Sequence, residues 1–192
     1  MIIIVLRNLI CIIGLIVISP ILILLACFIF IEDGQPVFFT QERLGINRQI
    51  FKIYKIRTMK KNTPQLGTHE VKKHFQLRAG AFARNLKLDE FPQLLNVIKG
   101  DINLVGPRPG LLNQNDLEQA RIKDKVFKIK PWITGLSQIL GFDMSDPINL
   151  SKIDKIYIKN YSTKLNILIL AGTFFQFPRK YLLSTLNITV KN

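Results

Sequence analysis

LICIIGLIVISPILILLACFIFI, residues 9–31, runs for 23 residues without a charge. A membrane-spanning helix needs roughly 20 such residues. A secretory leader carries a shorter apolar core, roughly 7–15 residues, placed after a basic region and closed by a small-residue cleavage site. Here Arg7 is the only basic residue before the run, and FIFIEDGQP closes it with no small-x-small site. The segment therefore reads as a retained membrane element. Ser19-Pro20 falls near its middle. Pro20 has no N–H to donate and its ring crowds the preceding turn. A serine hydroxyl can bond back to a carbonyl one turn earlier and help the helix bend. Two readings follow, a kinked helix that spans the bilayer and a re-entrant hairpin that enters and leaves on one face. Periodicity does not separate them.

Both cysteines, Cys11 and Cys27, lie inside this run. On a straight helix they stand ~24 Å apart, too far for a disulfide. A cysteine-free remainder suits the reducing cytosol. The chain as a whole has 27 Lys+Arg against 13 Asp+Glu, a formal charge of +14. From Gly34 onward there are 26 basic and 11 acidic residues, a net of +15. So positive a domain seeks an anionic partner. Beside a membrane element, lipid headgroups and phosphorylated small molecules come first, and the positive charge places the domain on the cytoplasmic side. Charge alone would also admit a nucleic-acid binder, but no recognition motif of the usual kinds is present and the membrane element argues against it. The expected organisation is a membrane segment over 1–33 and a cytoplasmic domain over 34–192.

Gly34, Gln35 and Pro36 mark a turn, and VFFTQ has strand character. QIFKIYKIRTMKK alternates Ile50, Ile53 and Ile56 with Lys52, Lys55, Arg57, Lys60 and Lys61, which predicts a strand or short amphipathic element with a basic row. KNTPQLGTHEVKKHF reads as a loop running into a helix. His69 and His74 are five apart with no cysteine nearby, a poor zinc pattern. LKLDEFPQLLNVIKGD, residues 86–101, reads as a helix with Asp89 as N-cap, Pro92 in the first turn and Gly100 at the end. In INLVGPRPG, Pro107 and Pro109 hold Arg108 in an extended, rigid loop. Residues 111–130 form a charged helical stretch. PWITGLSQILG looks like a turn with a short strand or loop. LSKIDKIYIKNYS is an amphipathic helix. LNILILAGTFFQF is too short to span and suits an interfacial or core helix.

The adjacent carboxylates Asp89 and Glu90 stand out in so basic a chain. A carboxylate at a helix start is an ordinary cap. The company suggests more, because Arg57, Arg84 and Arg108 lie on neighbouring segments and guanidinium groups grip phosphate bidentately. An Asp/Glu pair can share a magnesium ion with a diphosphate, and an Asp can attack phosphorus.

FKIYKIRTM (51–59), LDEFPQLLNVIKGDINLVGPRP (88–109) and ITGLSQ (133–138), following an apolar segment with a central Ser-Pro, resemble the bacterial sugar transferases, the monotopic phosphoglycosyl transferases. The resemblance runs from the membrane segment to about residue 160. It implies an α-rich α+β fold: an N-terminal re-entrant helix-break-helix hairpin, broken at Ser19 and Pro20, and a small cytoplasmic catalytic domain with amphipathic interfacial helices. It implies transfer of a sugar-1-phosphate from a UDP-sugar to undecaprenyl phosphate at the bacterial inner membrane, with release of UMP. By the same resemblance Asp89 is the nucleophile that holds the phosphosugar covalently, and Glu90, with Asp89, organises Mg2+. Arg108 contacts phosphate, with Arg57, Arg84, Lys55 and Gln138 as further substrate or phosphate contacts. Membrane lipids are partners, nucleic acid is not, and a homo-oligomer stays open. The competing class is a membrane-tethered binding or scaffold protein of the same fold without catalysis; the intact Asp89-Glu90 pair weighs against it.

The chain departs from the family pattern in two places. Arg7 stands where the family has an acidic residue, which bears on helix anchoring. Trp132 stands for a Gly and Leu136 for a Trp in the family's PGITGWAQ. Near Trp132 this predicts a different loop path or sugar contact, or a Trp seated at the headgroup level. The family suggests an N-acetylated hexose as the sugar. Capsule, O-antigen, exopolysaccharide and protein glycans all begin with this step.

Overall fold

A computed structural model of the protein describes residues 2–64, 73–186 and 188. His69 of the zinc reading lies outside the described residues; His74 is exposed and stacks on Phe75. The chain forms two compact units, Met1–Glu42 with Lys52–Gly100 and Arg43–Phe51 with Asp101–Asn192. The apolar helix packs into the first of these units.

That helix, α1, runs from Ile2 to Asp33 with Pro20 inside it. Ser19 Oγ donates to the Ile16 carbonyl at 2.8 Å, the backward bond its position suggested. By length and composition α1 can cross a membrane. Cys11, Gly14, Ile18, Leu22, Leu25 and Ile29 are its buried or half-buried stripe, spaced three and four apart. The intervening Ile12, Ile16, Val17, Ile21, Leu24 and Phe28 are exposed.

The strands β1 (Phe38–Leu44) and β2 (Ile50–Ile56) form a two-stranded sheet and contribute residues to both units. The basic row expected along β2 is not a solvated face. Lys52 is exposed, Lys55 is half-buried and Arg57 is buried, while Ile50 is exposed. The first unit also holds two 3-10 turns (Lys73–Phe75 and Leu88–Gln93), α2 (Arg78–Asn85) and α3 (Leu94–Lys99). Its core joins Leu25 and Ile29 of α1 to Ile56, Leu77, Ala83 and Leu88. Gly80 lets α2 touch the strand end: a Cβ there would lie 2.2 Å from the Thr58 carbonyl oxygen. Gly100 closes α3 in the left-handed conformation, as expected.

The second unit holds β3 (Asn103–Val105), α4 (Asn115–Lys123), a 3-10 turn (Val126–Lys128) and β4 (Trp132–Thr134). The short α5 (Leu136–Ile139), α6 (Pro147–Lys159), α7 (Thr163–Phe174) and α8 (Phe177–Thr185) follow. The charged stretch 111–130 is helical only over α4 and that turn, and the segment read as strand or loop at 131–141 also contains α5. β3 and β4 pair in parallel, with Asn103 opposite Trp132 and Val105 opposite Thr134; α4 lies in the crossover such a pair requires. Trp132, Leu136, Tyr157, Ile169 and Leu182 are central to this core. Trp132 is therefore not a headgroup anchor. It is 7% exposed, meets Tyr157 and Tyr161 edge-on, and covers Gly106, where a Cβ would fall 2.3 Å from its ring. Gly106 also adopts φ +149, which disfavours any side chain. Among the described residues the fold is α-rich, with two small sheets.

Candidate active site

The carboxylate pair sits on the second 3-10 turn of the first unit, not at an α-helix cap. Lys87, at φ +57, opens the turn, and the Glu90 N–H donates to its carbonyl at 3.3 Å. Pro92 has no N–H to give back to this turn, so α-geometry begins only at Leu94. Asp89 is 7% exposed, inside the turn. Glu90 is half-buried and its Oε1 accepts from Lys55 Nζ at 2.8 Å. Thus the structure brings together two expected residues, Lys55 from β2 and Glu90 from the turn. The ion pair places a cation beside the carboxylates, where an anionic phosphate would otherwise be repelled.

Arg84 and Arg57 are held differently. Arg84 Nε donates to Thr58 Oγ1 at 2.7 Å, tying α2 to the end of β2. Arg57 is buried, pairs with the Asp33 carboxylate and donates to the Gly34 carbonyl at 2.6 Å. The structure thus gives Arg57 a fastening role at the carboxyl end of α1, where a cation also suits the helix dipole. Glu32, one residue earlier, accepts from the Arg78 and Ala79 N–H groups at 2.7 and 3.1 Å. It caps α2 from 46 positions away, since Leu77 provides no side-chain cap. Sequence reading missed both fastenings; the adjacent Glu32-Asp33 closing an apolar run was the available signal.

Arg108 and Gln138 belong to the second unit. The prolines around Arg108 leave a loop rich in acceptors, and each carbonyl from Pro107 to Gly110 is met by a donor. Trp132 N–H reaches Pro107 at 3.1 Å, Arg121 Nη1 reaches Arg108 at 2.7 Å, Arg43 Nη1 reaches Pro109 at 3.2 Å and Leu44 N–H reaches Gly110 at 3.1 Å. The Arg108 side chain emerges from this tied loop part-exposed. Gln138 Nε2 donates to the Ile133 carbonyl at 3.1 Å and its Oε1 is buried without a partner. Its carboxamide fastens β4 to α5.

Behind the Arg108 loop lies a buried network the sequence did not announce. Arg121 donates through Nε and Nη2 to Asp154 Oδ2 at 3.1 and 2.6 Å, and Ser137 Oγ donates to Asp154 Oδ1 at 3.1 Å. Burial pushes the Asp154 carboxyl up, while the Arg121 guanidinium opposes that rise. Thirty-three residues separate the partners, so no local pattern could pair them.

Among the described residues no group of three or more His, Cys, Asp or Glu side chains could hold a metal by itself. The adjacent Asp89 and Glu90 nevertheless fit magnesium, a hard cation that takes one or two carboxylates and completes its shell with phosphate oxygens and water.

The bacterial sugar transferase family matches residues 3–180. The sugar transferase EpsL of Bacillus subtilis is 37% identical over 158 residues, covering 81% of this chain and 76% of EpsL. UDP-N-acetylgalactosamine-undecaprenyl-phosphate N-acetylgalactosaminephosphotransferase of Aeromonas hydrophila is 35% identical over 81% of this chain and 38% of its own. UDP-glucose:undecaprenyl-phosphate glucose-1-phosphate transferase of Klebsiella pneumoniae is 34% identical over 84% and 37%. The chain thus spans well under half the length of these two enzymes and most of EpsL. With a match across nearly its whole length, the chain belongs to the bacterial sugar transferase family.

Proposed function

We propose that this protein is a phosphoglycosyl transferase that moves a sugar-1-phosphate from a UDP-sugar to undecaprenyl phosphate and releases UMP. The observation that carries the reading is the turn at 88–93, which sets Asp89 beside Glu90 and brings Lys55 onto Glu90 at 2.8 Å. Relatives named for this reaction support it. An Asp89 oxygen attacks the sugar-bearing phosphorus; the bond to the bridging oxygen breaks and UMP leaves with that oxygen. A phosphate oxygen of the lipid then attacks the same phosphorus and frees the Asp89 carboxylate. Lys55 holds Glu90 in place and offsets the charge gathered around it. Asp89 and Glu90 would hold Mg2+, which supplies charge neutralisation at the phosphoryl group. For Arg108 the proposal is a phosphate contact, supported by its fixed backbone and part-exposed side chain.

The membrane seat belongs to the same proposal. The buried stripe of α1 continues on both sides of Ser19-Pro20, from Cys11 and Gly14 to Leu25 and Ile29, and Gly14 packs at Leu94 of the first unit. A helix crossing the bilayer would leave its far half in lipid. This supports a re-entrant helix at the inner membrane with both ends cytoplasmic. Exposed Ile167, Leu170, Phe175 and Phe177 on and around α7 and α8 support an interfacial seat for that region.

The test is UMP release from a panel of UDP-sugars by the purified chain in detergent, with undecaprenyl phosphate and Mg2+. One sugar nucleotide should turn over, chelator should stop it and added Mg2+ restore it. No UMP from any UDP-sugar would favour the scaffold alternative, and full rate in excess chelator would remove the metal.

A further inference from the structure

Asn96 is fully buried on α3, about two turns past the carboxylates. Its Nδ2 donates to the Lys52 carbonyl at 2.7 Å and its Oδ1 accepts from the Tyr54 N–H at 3.1 Å. This carbonyl and N–H flank Ile53 on one edge of β2. They are the groups a neighbouring strand would bond, and the side-chain amide has the donor and acceptor of a peptide group. Asn96 therefore stands in for a strand along that edge and fixes β2 in register against the segment carrying Asp89 and Glu90. Lys55 follows directly after Tyr54, and its Nζ lies 2.8 Å from Glu90. Lys99, one turn beyond Asn96, donates to the Tyr54 hydroxyl at 2.6 Å and closes the same seam.

We infer that Asn96 is a positioning residue for the Lys55–Glu90 pair: its carboxamide sets the height of β2 at which Lys55 meets the carboxylate. The inference rests on the phosphoglycosyl transfer reading. A one-residue slip of β2 would turn the Lys55 side chain to the opposite face, and a shift of about 1 Å at such a group costs on the order of 100-fold in rate. A leucine, with the same branching but no donor or acceptor, would leave both backbone groups of β2 unpaired.

The experiment compares the full chain with Asn96→Asp, Asn96→Ala, Lys55→Ala and the Asn96→Ala/Lys55→Ala double variant. Steady-state UMP release is measured with the preferred UDP-sugar, and thermal unfolding is followed in parallel. Asp keeps the shape and the acceptor but cannot donate to Lys52. The expected result is a fall in kcat of about 10- to 100-fold for both Asn96 variants, with KM for the UDP-sugar within about threefold. In the Lys55→Ala background, Asn96→Ala should cost less than about threefold, since the pair it positions is gone. An equal fold-loss in both backgrounds, an unchanged kcat, or loss of folding in both Asn96 variants would overturn the inference alone. Full turnover by Lys55→Ala would overturn it together with the assigned role of Lys55.

Discussion

The Lys55–Glu90 pair of the first unit and the Arg121–Asp154 pair of the second are similar in length, 2.8 and 2.6 Å, and differ in surroundings. Both side chains of the second pair are 2% exposed, and the remaining Asp154 oxygen is taken by Ser137. Those of the first are 14% and 18% exposed, beside a second carboxylate. A fully enclosed ion pair cannot exchange partners without leaving a buried charge, which costs several kcal/mol. A half-buried pair can, since water and ligand reach it. The enclosed pair thus suits holding a loop, and the accessible one suits receiving a phosphate. Opposite charges within hydrogen-bond distance do not by themselves tell the two uses apart; burial and the remaining lone pairs do.

Substitutions at the two pairs should therefore fail differently. The largest effect on rate is expected for Asp89→Asn, at least about 1,000-fold in UMP release, with thermal unfolding within a few degrees of the parent. A variant that unfolds early would place Asp89 with the structural carboxylates and break the contrast. Arg121→Ala should do the reverse. Leaving Asp154 buried and unpaired is expected to cost about 3–5 kcal/mol, seen as a lowered urea midpoint, while the protein that stays folded should lose far less activity than Asp89→Asn does, only what a loosened Arg108 loop takes away. Loss of turnover in a stably folded Arg121→Ala protein as large as that of Asp89→Asn would break the contrast.

The fold was most legible where structure is local. The strands around VFFTQ and FKIYKI, the Gly100 stop and the helix at 147–159 follow from side-chain period and backbone stereochemistry. The site was legible in its residues but not in its geometry. Asp89 looked like a cap because Asp before an apolar run usually is one, yet left-handed Lys87 and N–H-less Pro92 turn the same letters into a 3-10 turn. The Arg57 ion pair was not legible because its partner, Asp33, becomes a neighbour only in the folded chain. Polar pairing across 24 or 33 residues leaves no periodic trace.

A smaller effect sharpens the comparison at the surface of the second unit. Hydrogen bonds from Lys155 and Ser151 hold the Asp124 carboxyl below its ordinary value. The unfolded chain binds a proton there first, near pH 3.9. The stabilisation is thus present above that pH and lost as pH falls through the lower folded value. With the Lys155 side chain 45% exposed, the contribution should be under about 1 kcal/mol. Asp124→Asn should flatten that part of the acid dependence of thermal unfolding. An unchanged profile would mean that the pair contributes nothing measurable.

The covalent role of Asp89 is tested most directly without the lipid acceptor. Enzyme mixed with Mg2+ and its UDP-sugar alone should release about one UMP per active site and then stall. The peptide containing Asp89 should gain the mass of the sugar phosphate, and undecaprenyl phosphate should discharge that adduct and restart UMP release. No burst and no adduct, followed by full turnover once the lipid is added, would contradict Asp89 as the nucleophile.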